Sequence, residues 1–92
     1  MIQVNEYFEG RVRSLGQELA GQRFTVGVIE PGEYTFGTAT QEVMEIVHGA
    51  MEVVHPDGRR AAYAKGQSFT VPPGVKFTVM VKEPVSYLCL YK

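Results

Sequence analysis

Hydrophobic and polar residues alternate along this chain in short runs, each closed by a glycine or proline signal. Arg11-Val12-Arg13-Ser14 alternates and ends at Leu15-Gly16. Arg23 to Ile29 sets Phe24, Val26 and Val28 against Thr25, Gly27 and Ile29, then meets Pro31-Gly32. Glu33 to Phe36 is short and aromatic. Val43 to Val47 runs into His48-Gly49, and Ala50 to Val54 follows at once, which reads as a tight hairpin. Pro56-Asp57-Gly58 is a further hairpin signal. Arg60 to Ala64, Ser68 to Val71, Lys76 to Val81 and Val85 to Tyr91 complete the series, separated by Lys65-Gly66, Pro72-Pro73-Gly74 and Glu83-Pro84. Period-two runs with turns about every 8–12 residues predict eight or nine short strands and an all-β sandwich or barrel. Residues 15–20 are the one candidate helical turn, too few for a stable helix.

Composition narrows the class. Ninety-two residues support one domain, residues 1–92, with a single core. The chain is 45% hydrophobic and 21% charged, too apolar for a disordered segment. Nine Lys and Arg against ten Asp and Glu give a net charge of −1, which argues against a nucleic-acid binder. No apolar run is long enough to span a membrane, and no signal-peptide pattern opens the chain. The single cysteine, Cys89, has no intramolecular disulfide partner, so a cytoplasmic location is expected.

Two stretches point to one kind of barrel. Gly66 to Phe77 fits the second cupin motif, Gly-x5-Pro-x-Gly-x2-His, with Phe77 standing where the histidine belongs. Glu42 and Gly49 fit the end of the first motif, Glu-x6-Gly. Counting back from Glu42, the two histidine positions of that motif fall on Phe36 and Thr38, or on Thr35 and Gly37, and Gly32 is out of register. The turn-shaping residues are kept and the metal-binding ones are replaced. The chain therefore resembles a single-domain cupin, a jelly-roll barrel without its metal ligands. His48 and His55 are the only histidines, and both read as solvated turn residues, so no metal site is expected.

A narrower resemblance covers the whole chain. Asn5 to Gly16 (NEYFEGRVRSLG), Val26 to Thr38 (VGVIEPGEYTFGT) and the closing Ser86 to Tyr91 (SYLCLY) are similar to the small pyrimidine/purine nucleoside phosphorylase family. Pro72-Pro73-Gly74 is one departure and concerns the shape of a loop. The resemblance implies a cytosolic cupin enzyme that cleaves nucleosides such as adenosine, guanosine, inosine, uridine, thymidine and cytidine with phosphate. The products are free base and ribose 1-phosphate. It implies no cofactor, with phosphate as co-substrate.

Phosphorolysis builds positive charge on the sugar ring and negative charge on the departing base. The candidate residues follow from those demands, and each has a structural alternative. Arg11 and Arg13, two apart on a strand, share a face and read either as a phosphate cradle or as charges guarding an exposed edge. Glu42, at the cupin carboxylate position, reads as a ribose or cation contact, or as a strand-end carboxylate open to solvent. Tyr34, Phe36 and Thr38 share a face, and Phe69 and Phe77 add further aromatic surface. Such rings stack on any base or simply fill a core. Tyr87 and Tyr91 flank Cys89 on one face of the last strand and offer hydroxyl donors. Cys89 reads as a small buried apolar residue, and no histidine–aspartate pair accompanies it.

Three other functions remain open at this level: a non-catalytic cupin that binds or senses a nucleoside or sugar, a structural barrel, and a metal-dependent isomerase or dioxygenase. Open sheet edges on so small a jelly roll predict a homodimer.

Overall fold

The computed structural model describes all 92 residues. Ten strands form two antiparallel sheets. In chain order they are β1 (Gln3–Tyr7), β2 (Val12–Leu19), β3 (Gln22–Ile29), β4 (Gly32–Gly37), β5 (Glu42–His48), β6 (Ala50–Val54), β7 (Arg60–Ala64), β8 (Ser68–Val71), β9 (Lys76–Val81) and β10 (Val85–Tyr91). One sheet has the order β1-β2-β3-β10-β5-β8, the other β4-β9-β6-β7. Every connection except β1–β2, β2–β3 and β6–β7 crosses from one sheet to the other. The sheets face each other without closing into a continuous barrel, an arrangement compatible with a jelly roll.

Alternation decides what each strand buries. Val12 and Ser14 on β2, Thr25 and Ile29 on β3, and Val85, Tyr87 and Cys89 on β10 point inward. Facing them are Tyr34, Met51, Val53, Phe77, Val79 and Val81. Fifteen buried apolar side chains form one cluster. On β3 the more apolar set, Phe24, Val26 and Val28, faces outward, because Tyr87 pairs with Gly27 and needs the space inside. A one-residue slip would exchange the two faces of the strand.

Several sequence expectations are corrected. β2 does not stop at Leu15-Gly16 but continues to Leu19, since Gly16 pairs in register with Thr25. The turn comes at Ala20-Gly21, both at positive φ (51° and 81°), the conformation favoured in two-residue hairpins. Residues 15–20 are therefore strand and turn, and the chain's short 3-10 segment is Phe8–Gly10. His48-Gly49 is not a hairpin either, because β5 and β6 lie in different sheets. Gly49 (φ 96°) turns the corner where a side chain would meet Val85 at 2.8 Å and the Pro84 carbonyl at 3.0 Å. His55 is buried, not solvated. Its Nε2 lies 2.8 Å from the Tyr63 hydroxyl, and its ring packs edge-on against Phe69.

Candidate functional site

At one end the two sheets enclose a cavity of about 470 Å³, within the roughly 300–1,000 Å³ usual for small-molecule sites. One wall is the inner face of the six-stranded sheet: Tyr87, Cys89 and Tyr91 from β10, Glu42 and Met44 from β5, Ser14 from β2 and Ile29 from β3. The other wall is Thr35, Phe36 and Gly37 from β4 and Phe77 from β9. Tyr7 and Phe8 complete the lining, from the end of β1 and the turn that follows. No lysine or arginine lines the cavity, and Glu42 is its one carboxylate.

Cross-strand register builds the polar corner. Tyr91 pairs directly with Glu42, and Cys89 pairs with Met44 beside it. The Cys89 thiol donates to Glu42 Oε1 at 3.5 Å. Burial raises the Glu42 pKa above the usual carboxylate value, opposed by that bond. Burial, with the Glu42 charge beside it, pushes the Cys89 thiol up to about 12. The thiol therefore stays protonated at neutral pH and is a poor nucleophile. Burial also raises Tyr87 to about 12 and Tyr91 upward. Both phenols remain neutral hydroxyls, and that of Tyr91 lies 3.1 Å from Thr25 Oγ1.

Opposite this corner the wall is aromatic. Phe36 and Phe77 are cross-strand partners with ring centroids 5.8 Å apart. Phe8 meets Phe36 edge-on at 5.5 Å. The cavity thus has an aromatic side and a side carrying hydroxyls and one carboxyl. That division fits a nucleoside, which has an aromatic base and a polyhydroxylated sugar.

Of the residues singled out from sequence, Glu42, Phe36, Phe77, Tyr87 and Tyr91 line this cavity together. Four do not, and the expectations attached to them are corrected. On β2, Arg13 beside the inward-pointing Val12 faces outward, and Arg11, just before the strand, is exposed with its guanidinium 5.5 Å from the Tyr34 ring centroid. Arg13 pairs with Glu6 at 3.5 Å in the open, and Arg11 Nε donates to the Phe8 carbonyl at 3.2 Å. They do not converge into a phosphate cradle facing the cavity. Tyr34 is a core residue, 1% exposed, with its hydroxyl donating to the Glu30 carbonyl at 2.8 Å. Thr38 ties down the Pro72-Pro73-Gly74 loop. Its hydroxyl donates to the Pro72 carbonyl at 2.7 Å and accepts from the Val75 N–H at 3.1 Å.

Comparison with known proteins bears on what this cavity serves. The pyrimidine/purine nucleoside phosphorylase family matches residues 2–91. The chain belongs to that family. A pyrimidine/purine nucleoside phosphorylase from Tolumonas auensis is 48% identical over 93 residues, covering all of both chains. A crystal structure of a protein of unknown function from Vibrio parahaemolyticus superimposes with a TM-score of 0.96 at 43% identity, covering 100% of this chain and 99% of that one. A cupin-2 domain protein from Shewanella frigidimarina shares the fold, with a TM-score of 0.68 at 24% identity over 80% of this chain and 72% of its own. The cupin architecture expected from the two partial motifs is thereby found.

Within the phosphorylase family's cupin frame, the sequence alone does not single out Tyr7, Phe8, Ser14 and Met44 as lining residues. Alternation along β2 and β5 places Ser14 and Met44 inward once the strand starts are known. Nothing in the local sequence places Phe8, because an unusual backbone turn brings it to the cavity.

Proposed function

We propose that the chain is a broad-specificity, metal-independent nucleoside phosphorylase, converting purine and pyrimidine nucleosides and phosphate to free base and ribose 1-phosphate. The observation that carries the reading is the cavity itself, with an aromatic wall facing a half-buried carboxyl whose pKa burial raises. The base lies against Phe36 and Phe77, and the ribose faces Glu42, Tyr87 and Tyr91. As the glycosidic bond breaks, its electron pair goes to the base, and the Glu42 proton neutralises the departing nitrogen. A phosphate oxygen forms the new bond to the anomeric carbon. The proton released by hydrogen phosphate returns to Glu42, so the carboxyl ends the cycle as it began. Aromatic faces discriminate little between bases, which suits adenosine, guanosine, inosine, uridine, thymidine and cytidine alike.

Arg23 packs on one cavity residue, its guanidinium 5.4 Å from the Tyr91 ring centroid. No three His, Cys, Asp or Glu side chains cluster as metal ligands. Rates with uridine and inosine should be the same before and after chelation. A rate lost on chelation and restored by a divalent ion would overturn the metal-independent mechanism.

The same reading includes a homodimer in the cytoplasm. No helix is long and apolar enough to cross a membrane, and the only cysteine is free and buried. The outer face of the six-stranded sheet carries an apolar row, Val4 beside Leu15 beside Val26, with Val28 next to it, each 46–69% exposed. A second copy covering this row would bury it, a common role for such patches. Light scattering on the purified protein should give twice the chain mass of 10.2 kDa. A monomer mass at micromolar concentration contradicts the dimer.

A further inference from the structure

The backbone is most unusual where it leaves β1. Phe8, Glu9 and Gly10 have φ of 52°, 58° and 85°, three consecutive residues in the left-handed region, two of them with side chains. L-residues rarely adopt that conformation, and it persists only where surrounding contacts impose it. Here they do so from both sides. The Arg11 backbone N–H and Nε both donate to the Phe8 carbonyl at 3.2 Å. The Glu6–Arg13 pair lies against Gly10, where a Cβ would come within 2.9 Å of Arg13 Nη2. The two arginines that flank Val12 thus act as buttresses of a turn.

What the turn achieves is the placement of one ring. Phe8 lines the cavity with its centroid 5.0 Å from Tyr34 and 5.5 Å from Phe36, yet it stays 38% exposed. Phe36 and Phe77 sit on paired strands, whereas Phe8 sits on a strained loop at the opening.

We propose that Phe8 is a base-contacting residue of the nucleoside site, covering at the mouth a base that lies along Phe36, and that Arg11 positions it through the Phe8 carbonyl. The inference rests on the phosphorylase reading and extends it to a residue that sets affinity for the base. A phenyl ring offers no hydrogen bond, so it covers purines and pyrimidines without selecting between them.

Kinetics with inosine and uridine test this. Loss of a base–aromatic contact corresponds to roughly 5–150-fold in affinity. Phe8→Leu should raise KM about 10-fold for both nucleosides with kcat within about twofold. Phe8→Tyr should restore the wild-type KM, and Arg11→Lys should raise KM in the same direction. Phe8→Met serves as a second variant should Phe8→Leu fail to fold. If wild-type protein turns over nucleosides and neither Phe8→Leu nor Phe8→Met changes KM, the Phe8 assignment falls while the phosphorylase reading stands. If wild-type protein releases no base, calorimetric titration with free hypoxanthine decides the matter separately. Weaker binding by Phe8→Leu than by wild type supports the base contact; equal binding, or none to either, overturns it.

Discussion

Replacing Glu42 with Gln should lower kcat for nucleoside phosphorolysis by about 10²–10³-fold with little change in KM, because a positioned proton donor contributes on that scale and acts mainly in the transition state. Gln keeps the shape and the bond from Cys89 but has no proton to give. Wild-type kcat should also fall on the alkaline side, since burial raises the Glu42 pKa and the active form is the protonated one. That limb should disappear in Glu42→Gln. Stability follows the same sign. A raised folded-state pKa makes a contribution that is full below the ordinary carboxylate value and is lost as pH rises through the raised one. The urea midpoint of Glu42→Gln should therefore gain on wild type as pH rises above the ordinary carboxylate value. An unchanged kcat in Glu42→Gln would remove the carboxyl from the chemistry.

Gly27→Ala should be the most damaging small substitution in the six-stranded sheet. Gly27 sits mid-strand on β3 opposite Tyr87, facing inward. A methyl there would come within 2.6 Å of the Tyr87 hydroxyl and 2.8 Å of the Arg13 carbonyl. Alanine within a strand is ordinarily favoured over glycine by about 0.5–1 kcal/mol. The clash reverses the sign, because the Arg13 carbonyl is backbone held by the β2–β3 pairing and Tyr87 can move only by leaving its place in the cavity wall. A net loss of about 2–3 kcal/mol is expected from overpacking of this kind, with a raised KM in whatever protein folds. Gly16→Ala is the internal control. Its nearest neighbour would be Thr25 Cγ2 at 3.5 Å, an ordinary contact, and its urea midpoint should stay near wild type. Equal midpoints for the two variants would contradict the packing described for Tyr87.

The residues legible in the sequence were those whose role is local or carried by a spaced motif. Gly and Pro marked nearly every strand end, and the Glu42–Gly49 spacing picked out a cavity carboxyl before any geometry was known. Phe77, standing where the motif has histidine, does face the cavity. Arg11 and Arg13 misled because a two-residue spacing gives a shared face but not which face, and Val12 claims the interior. Tyr34 and Thr38 alternate with Phe36, yet Tyr34 packs in the core and Thr38, just past the end of β4, clamps a loop. The Cys89–Glu42 contact joins residues 47 apart and depends on how β10 pairs with β5, which no local pattern specifies. Phe8 was least legible of all, since a left-handed turn at non-glycine residues follows from tertiary contacts. The turn residues beside His55 suggest a solvated site, whereas Tyr63 and Phe69 draw it into the interior.

The cavity's role as a phosphorolytic site is tested most directly by its products. Purified, chelator-treated protein is incubated with inosine or uridine, with and without phosphate, and free base and ribose 1-phosphate are quantified. The account predicts equimolar base and ribose 1-phosphate with phosphate present, and neither without it. Heat of nucleoside binding with no product would make the cavity a binding site, and free ribose released without phosphate would make the protein a hydrolase; either result contradicts the account.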